Sequence, residues 1–196
     1  MTGRDALTQV LEGIDAALAS GLAPVKVNCV LIRGRNDDEI LDFAAFGRDR
    51  GVEVRFIEWM PLDANQAWTS AQVVPGEEII STIGSVWPLD PVPVRGNAPA
   101  ESWVYADGGG KLGVVASVTR SFCSSCDRIR MTAEGQLRNC LFSIRETDMR
   151  AVLRGGGSDD DIAAAIEAEV GLKWAGHSIG NVSFVRPARS MSQIGG

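Results

Sequence analysis

The sequence predicts an α/β fold with a partial parallel sheet, followed by an α+β region, and three observations carry that prediction. Helix, strand, helix and strand follow one another with short connections up to residue 62, which is the pattern of βαβ units in a parallel sheet. Beyond Pro61 the texture changes to irregular polar chain, Pro- and Gly-rich passages, hairpins and short helices. Only two strands of the first kind are present, whereas a complete TIM barrel takes about 250 residues. The expected division is therefore residues 1–62 and residues 63–196.

Thr2 is placed as the cap of a helix whose apolar positions Leu7, Val10, Leu11, Ile14 and Leu18 make one buried stripe. Gly21 stops that helix and Pro24 prevents its resumption. Val25 to Ile32 reads as a strand. Asn36 or Asp37 is expected to cap a second helix bearing Ile40, Leu41, Ala44, Ala45 and Phe46, ended by Gly51, and Val52 to Trp59 reads as the next strand. Along the first strand Val25, Val27, Cys29 and Leu31 share one face, opposite Lys26, Asn28 and Val30. Along the second, Val52, Val54 and Phe56 stand opposite Glu53, Arg55 and Ile57. A strand covered on both sides by core is apolar on both faces. Polar side chains on one face point either to a cleft that holds something polar or to a sheet edge in water.

In the second region a short helix is expected over Glu77 to Val86, then a loop through Pro88, Pro91, Pro93, Gly96 and Pro99. Trp103 to Tyr105 and Leu112 to Val118 form a predicted hairpin across Asp107-Gly108-Gly109-Gly110, and Ile129–Thr132 with Gln136–Arg138 a second across Glu134-Gly135. Ser143 with Glu146 and Ser158 with Asp161 have the spacing of capping boxes for two helices, the second ending at Gly171.

Composition limits the function. The chain has 196 residues, 45% hydrophobic and 22% charged, with 19 basic against 25 acidic side chains and a net charge of −6. That balance argues against a general nucleic-acid binder, which needs excess Lys and Arg to displace counterions. No stretch approaches the roughly 18 apolar residues of a membrane span, and no export-type start is present. A cytoplasmic protein that binds neither nucleic acid nor membrane is expected.

Four cysteines are too few for a disulfide scaffold, and three of them are grouped. From Ser121 to Leu141 the sequence is SFCSSCDRIRMTAEGQLRNCL, with spacing C-x2-C-x13-C at Cys123, Cys126 and Cys140. Two readings follow: a zinc ion closed by His177, or a four-iron cluster with one open iron able to bind substrate as a Lewis acid. Arg120, Arg128, Arg130 and Arg138 surround the thiols in sequence, a positive island in an acidic chain. Guanidinium forks suit phosphate oxygens. Cys29 stands apart as a small core residue, and His177, the one histidine, is expected to hydrogen-bond locally.

FCSSCDRIRMTAEGQLRNCL together with the terminal RSMSQIGG closely resembles the molybdenum cofactor biosynthesis protein A family, the GTP 3′,8-cyclases, which are radical S-adenosylmethionine (SAM) enzymes. GLAPVKVNCVLIRGRNDDEI and GVEVRFIEWMPL are similar to successive strands and loops of that family's incomplete barrel. The resemblance implies half of a TIM-barrel-type sheet over residues 1–62, and an Fe–S and GTP-binding α+β domain over residues 63–196. It implies conversion of GTP to (8S)-3′,8-cyclo-7,8-dihydroguanosine 5′-triphosphate in molybdenum cofactor biosynthesis. Cys123, Cys126 and Cys140 match the thiolates of the family's [4Fe–4S] cluster, whose open iron meets guanine. Arg128, Ile129 and Arg130 match its GTP-contacting triplet. Lys26 matches a lysine on the GTP side, Arg55 lies on the same polar face, and Met60 matches a residue contacting SAM. Gly195 and Gly196 match the paired tail glycines that reach the active site.

One departure is large. The family's C-x3-C-x2-C motif, which holds the SAM-cleaving cluster, has no counterpart in these 196 residues. The leading expectation is thus the C-terminal portion of a cyclase, inactive alone. A metal-containing GTP-binding subunit that works with a separate radical-initiating chain and a structural zinc protein are the alternatives. Two strands alone would expose apolar edges, so self-association, or docking of a chain carrying the missing barrel half, is also expected.

Overall fold

A computed structural model describes residues 5–62, 67–93, 96–173, 179 and 184–194. Thr2, His177, Gly195 and Gly196 lie outside the described residues. Helix α1 (Leu7–Ala19) leads to strand β1 (Lys26–Leu31), helix α2 (Ile40–Arg50) and strand β2 (Glu53–Glu58). Helix α3 (Gly76–Gly84), strands β3 (Leu89–Pro91), β4 (Glu101–Tyr105) and β5 (Lys111–Val115) follow. A small sheet of β6 (Arg130–Met131), β7 (Gln136–Arg138) and β8 (Thr147–Asp148) precedes helices α4 (Met149–Arg154) and α5 (Asp159–Gly171).

The predicted mixing of helix and strand is present, but the expectation of only two parallel strands needs correction. The main sheet has the order β1-β2-β5-β4-β3, with β5 parallel to β2 and the β5-β4-β3 part antiparallel. Alternation alone could not reveal this. The Leu112–Val115 run was legible as a hairpin strand, and its second neighbour lies more than 50 residues earlier.

Register explains why the sheet has two unlike faces. Val54 pairs with Leu112 and Phe56 with Val114, all on the helix-covered side, while Arg55 pairs with Gly113 and Ile57 with Val115 on the other. Cys29, Leu31, Val54, Phe56, Val114, Ile79 and Ile83 form the centre of the core. Burial of that apolar area is the main stabilising term. Cys29 is part of it, as expected. Burial, helped by Glu39, pushes its thiol up to about 12.

Several local expectations need correction. Neither Asn36 nor Asp37 caps α2, which follows a single 3-10 turn over Asp37–Glu39. Asn36 instead closes the end of β1, accepting from the Ile32 amide at 2.8 Å and donating to the Val30 carbonyl at 3.0 Å. Gly51 ends α2 with φ of 68°, a conformation that favours glycine. Ser143 and Glu146 form no capping box. Asp148 caps α4 by accepting from the Ala151 amide at 2.9 Å, whereas Glu146 is occupied by two arginines. The Ser158–Asp161 box at the start of α5 is present.

Candidate functional site

The uncovered face of the main sheet and the cysteine segment form two walls of one cavity of about 230 Å³. Asn28, Arg55, Ile57 and Val115 line it from the sheet, with Met60 just beyond β2. Cys123, Cys126, Arg128, Arg130 and Cys140 line it from the other side. Met191, in the last described turn of chain, completes the lining.

The sheet wall carries positive charge. Arg55 donates from Nε to Glu53 Oε1 at 2.8 Å, and Lys26 Nζ stands 3.8 Å from the other oxygen of the same carboxylate. Two cations therefore share one anion. Lys26 lies two residues before Asn28 on that face but does not itself line the cavity.

The facing wall is also cationic. Arg128 donates to Cys126 Sγ at 3.5 Å and to the Asn97 carbonyl at 2.7 Å, its guanidinium 5.3 Å from the centre of the Phe122 ring. Arg130 is half-buried and donates to the Ile194 carbonyl at 3.5 Å. Burial, and then the nearby Arg128 charge, lower its pKa from the ordinary value. An anion that entered here would relieve that repulsion. Ile129, between the two arginines, is exposed and does not line the cavity. Arg120 and Arg138, expected around the thiols, are engaged elsewhere, Arg120 with Glu101 and Arg138 with Glu146 and the Ser143 carbonyl.

Two of the thiols have cationic or N–H neighbours. Cys140 Sγ accepts from the Phe142 amide at 3.4 Å, and Cys126 Sγ has Lys173 Nζ at 3.9 Å besides Arg128. Burial pushes the Cys140 thiol up, against the pull of the Phe142 N–H. Among the described residues no three His, Cys, Asp or Glu side chains are grouped as ligands of a metal ion. Thiolates of an iron–sulfur cube bind separate irons, so they must face one cavity rather than one point. Cys123, Cys126 and Cys140 do face one cavity, with N–H donors of the kind that stabilise thiolate ligands at Cys126 and Cys140, and in this respect they fit such a cluster.

Three residues that shape this site had no motif to announce them. Glu58, fully buried at the end of β2, accepts from the amides of Gly76, Val118 and Thr119 at 2.8, 2.7 and 2.8 Å, and from the Thr119 hydroxyl. It thus fixes the chain that leads into Cys123. Glu169 and Lys173 reach back from α5 and its end to the Asn139 peptide beside Cys140. A carboxylate on the otherwise apolar Val52, Val54, Phe56 face of β2 was the only available signal for Glu58.

Comparison with known proteins agrees with the resemblance read from the motifs. Residues 52–179 match the family described as Molybdenum Cofactor Synthesis C. The whole chain is 46% identical to proteins named GTP 3′,8-cyclase 2 of Mycobacterium bovis and of Mycobacterium tuberculosis, covering 56% of each. It is also 46% identical to the GTP 3′,8-cyclase of Streptomyces coelicolor, covering 58% of it. The chain therefore spans little more than half the length of these curated relatives. Their names do not favour the zinc-protein or separate-subunit readings.

Proposed function

This chain belongs to the Molybdenum Cofactor Synthesis C family, and we propose that its cavity is the GTP-binding side of a GTP 3′,8-cyclase. The carrying observation is that three thiols, Arg128, Arg130 and Arg55 line one cavity although they come from separate elements. The product in this reading is (8S)-3′,8-cyclo-7,8-dihydroguanosine 5′-triphosphate, an intermediate of molybdenum cofactor biosynthesis.

Cys123, Cys126 and Cys140 would hold a [4Fe–4S] cluster, which when bound supplies an open iron as a Lewis acid toward the guanine base. Arg128 and Arg130 bind the triphosphate by charge-assisted hydrogen bonds, and Ile129 between them fixes their spacing along the chain. Lys26 and Arg55 supply positive charge from the sheet, Arg55 nearer the reacting ribose. Met60, on the same lining, contacts SAM. Gly195 and Gly196 follow Ile194, whose carbonyl already meets Arg130. Without side chains, their amides can approach the substrate closely.

We assign residues 1–62 to the second half of a TIM-barrel-type partial sheet, a reading supported by the parallel run of β1, β2 and β5, and residues 63–196 to the Fe–S and GTP-binding domain with its glycine tail. Strand β1 is an edge of the described sheet. We assign it as the docking edge for chain carrying further strands and the SAM-cleaving cysteines, or for a second copy. The working compartment is the cytoplasm.

The test is anaerobic reconstitution with iron and sulfide, followed by titration with GTP. Expected are visible charge-transfer absorbance, an electron paramagnetic resonance signal on reduction, and GTP binding. Arg128→Met and Arg130→Met should each weaken that binding about tenfold or more, as loss of a charged hydrogen bond does. A colourless protein with stoichiometric zinc, no iron uptake and no GTP binding would overturn the reading.

A further inference from the structure

The end of α5 reaches the cysteine segment through one cation. Lys173 Nζ donates to the Arg128 carbonyl at 2.7 Å and to the Asn139 carbonyl at 2.7 Å, and lies 3.9 Å from Cys126 Sγ. Arg128 is two residues after Cys126, and Asn139 immediately precedes Cys140. One ammonium thus joins the two stretches of chain that bring the separated thiols together. An ammonium has three hydrogens to donate, and three acceptors surround this one.

Glu169, four residues earlier in the last turn of α5, completes the grip. It is buried, and its Oε1 accepts from the Asn139 amide at 3.3 Å while Oε2 accepts from the Thr147 hydroxyl at 2.8 Å. Both sides of the Asn139 residue are held, N–H by Glu169 and C=O by Lys173. The pair holds the loop between β7 and β8 just before Cys140, as the Arg138 bond to the Ser143 carbonyl holds it just after.

We propose that Lys173 is a positioning residue for the cysteine site: it sets the separation of Cys126 from Cys140 and places a fixed positive charge beside the Cys126 sulfur. The role rests on the assignment of the three thiols to an iron–sulfur cluster. A positive charge beside a thiolate ligand favours the reduced, more negative form of a cluster, because charge and hydrogen bonds at the sulfurs set reduction potential. Arginine could keep the charge, but its planar fork cannot donate to three acceptors arranged around a point.

The experiment compares wild type, Lys173→Met and Lys173→Arg after anaerobic reconstitution with ferrous iron and sulfide. Each is read by bound iron, by iron loss to a chelator and by the midpoint potential of the cluster signal. Expected for Lys173→Met is several-fold faster iron loss and a more negative potential. Lys173→Arg should recover the potential in larger part than the iron retention. A Lys173→Met protein that melts lower but matches wild type in retention and potential overturns the proposal, leaving only a structural role. If Lys173→Met does not fold, the arginine variant decides, and retention and potential both equal to wild type overturn the three-way contact. A wild-type chain that takes up no iron overturns the cluster assignment itself, and this role with it.

Discussion

Arg189 forms a two-pronged pair with Glu146, Nε to Oε1 at 2.6 Å and Nη2 to Oε2 at 3.2 Å. The same carboxylate holds the buried guanidinium of Arg138 on β7. One acidic side chain therefore ties the last described stretch to the small sheet. Five residues on, Ile194 is fully buried, and the Met191 amide donates to the Leu62 carbonyl at 3.2 Å. The Ser190–Gln193 capping box fixes the turn between. The approach of residues 189–194 to the cavity is built from these contacts.

Glu146→Ala should destabilise the protein by about 3 kcal/mol, because it strands the Arg138 charge in the interior. Arg189→Met, which removes the partly exposed partner, should cost much less. Urea unfolding of the two variants checks the order. Equal effects would mean that Arg138 finds another partner.

The pair also makes stability depend on acid. The Arg189 hydrogen bond, and then that of Arg138, hold Glu146 below its ordinary 4.5. Glu134, 3.4 Å from Arg189, is lowered too, chiefly by its bond to Thr132. A carboxylate depressed in the folded state contributes its full stability above 4.5 and loses it as pH falls through the folded value. Wild type should therefore lose more stability than Glu146→Gln between pH 5 and pH 3 (about the range of the carboxylates). Parallel stability curves for the two proteins would refute the assignment.

Glu58→Gln should cost about 3 kcal/mol, since an amide NH2 would be turned toward backbone N–H donors that now meet a carboxylate. The loss should be local as well as global. Val118 and Thr119 lie between β5 and Cys123, so hydrogen exchange should rise most over residues 117–122. Uniform acceleration across the chain would show that Glu58 acts on the whole core instead.

Much of this architecture was legible because it is local. The alternation of Lys26, Asn28 and Arg55 with apolar neighbours marked the open face of the sheet, and C-x2-C-x13-C marked the opposing wall. The Ser158–Asp161 box was readable because its partners are three residues apart. What could not be read depends on distant pairing. The β2–β5 ladder joins residues some 58 apart, as in Val54 with Leu112. Ser143 and Glu146 had the spacing of a box, but Arg138 and Arg189 compete for that carboxylate and win by charge. Glu169 and Lys173 looked like ordinary polar residues near a helix end until the fold set them beside Asn139.

Gly113 sits opposite Arg55 in the β2–β5 ladder, and the absence of a side chain there gives the arginine its course. A Cβ at that position would lie 3.1 Å from Arg55 Cγ and 3.3 Å from Ala100 Cβ. Contacts this short force a neighbour to give way, and the arginine stem can move more easily than the strand. Gly113→Ala should therefore leave the fold intact, within about 1 kcal/mol of wild type, as the stiffer unfolded chain offsets the crowding. Its effect should fall on binding, with GTP affinity reduced several-fold because Arg55 is turned from the cavity. Gly84→Ala serves as the control. A Cβ there meets nothing within 4 Å, so it should raise stability slightly, by about 0.5–1 kcal/mol, and leave affinity unchanged. If Gly113→Ala binds GTP like wild type while Arg55→Met does not, the arginine tolerates the new methyl and the glycine has no part in aiming it.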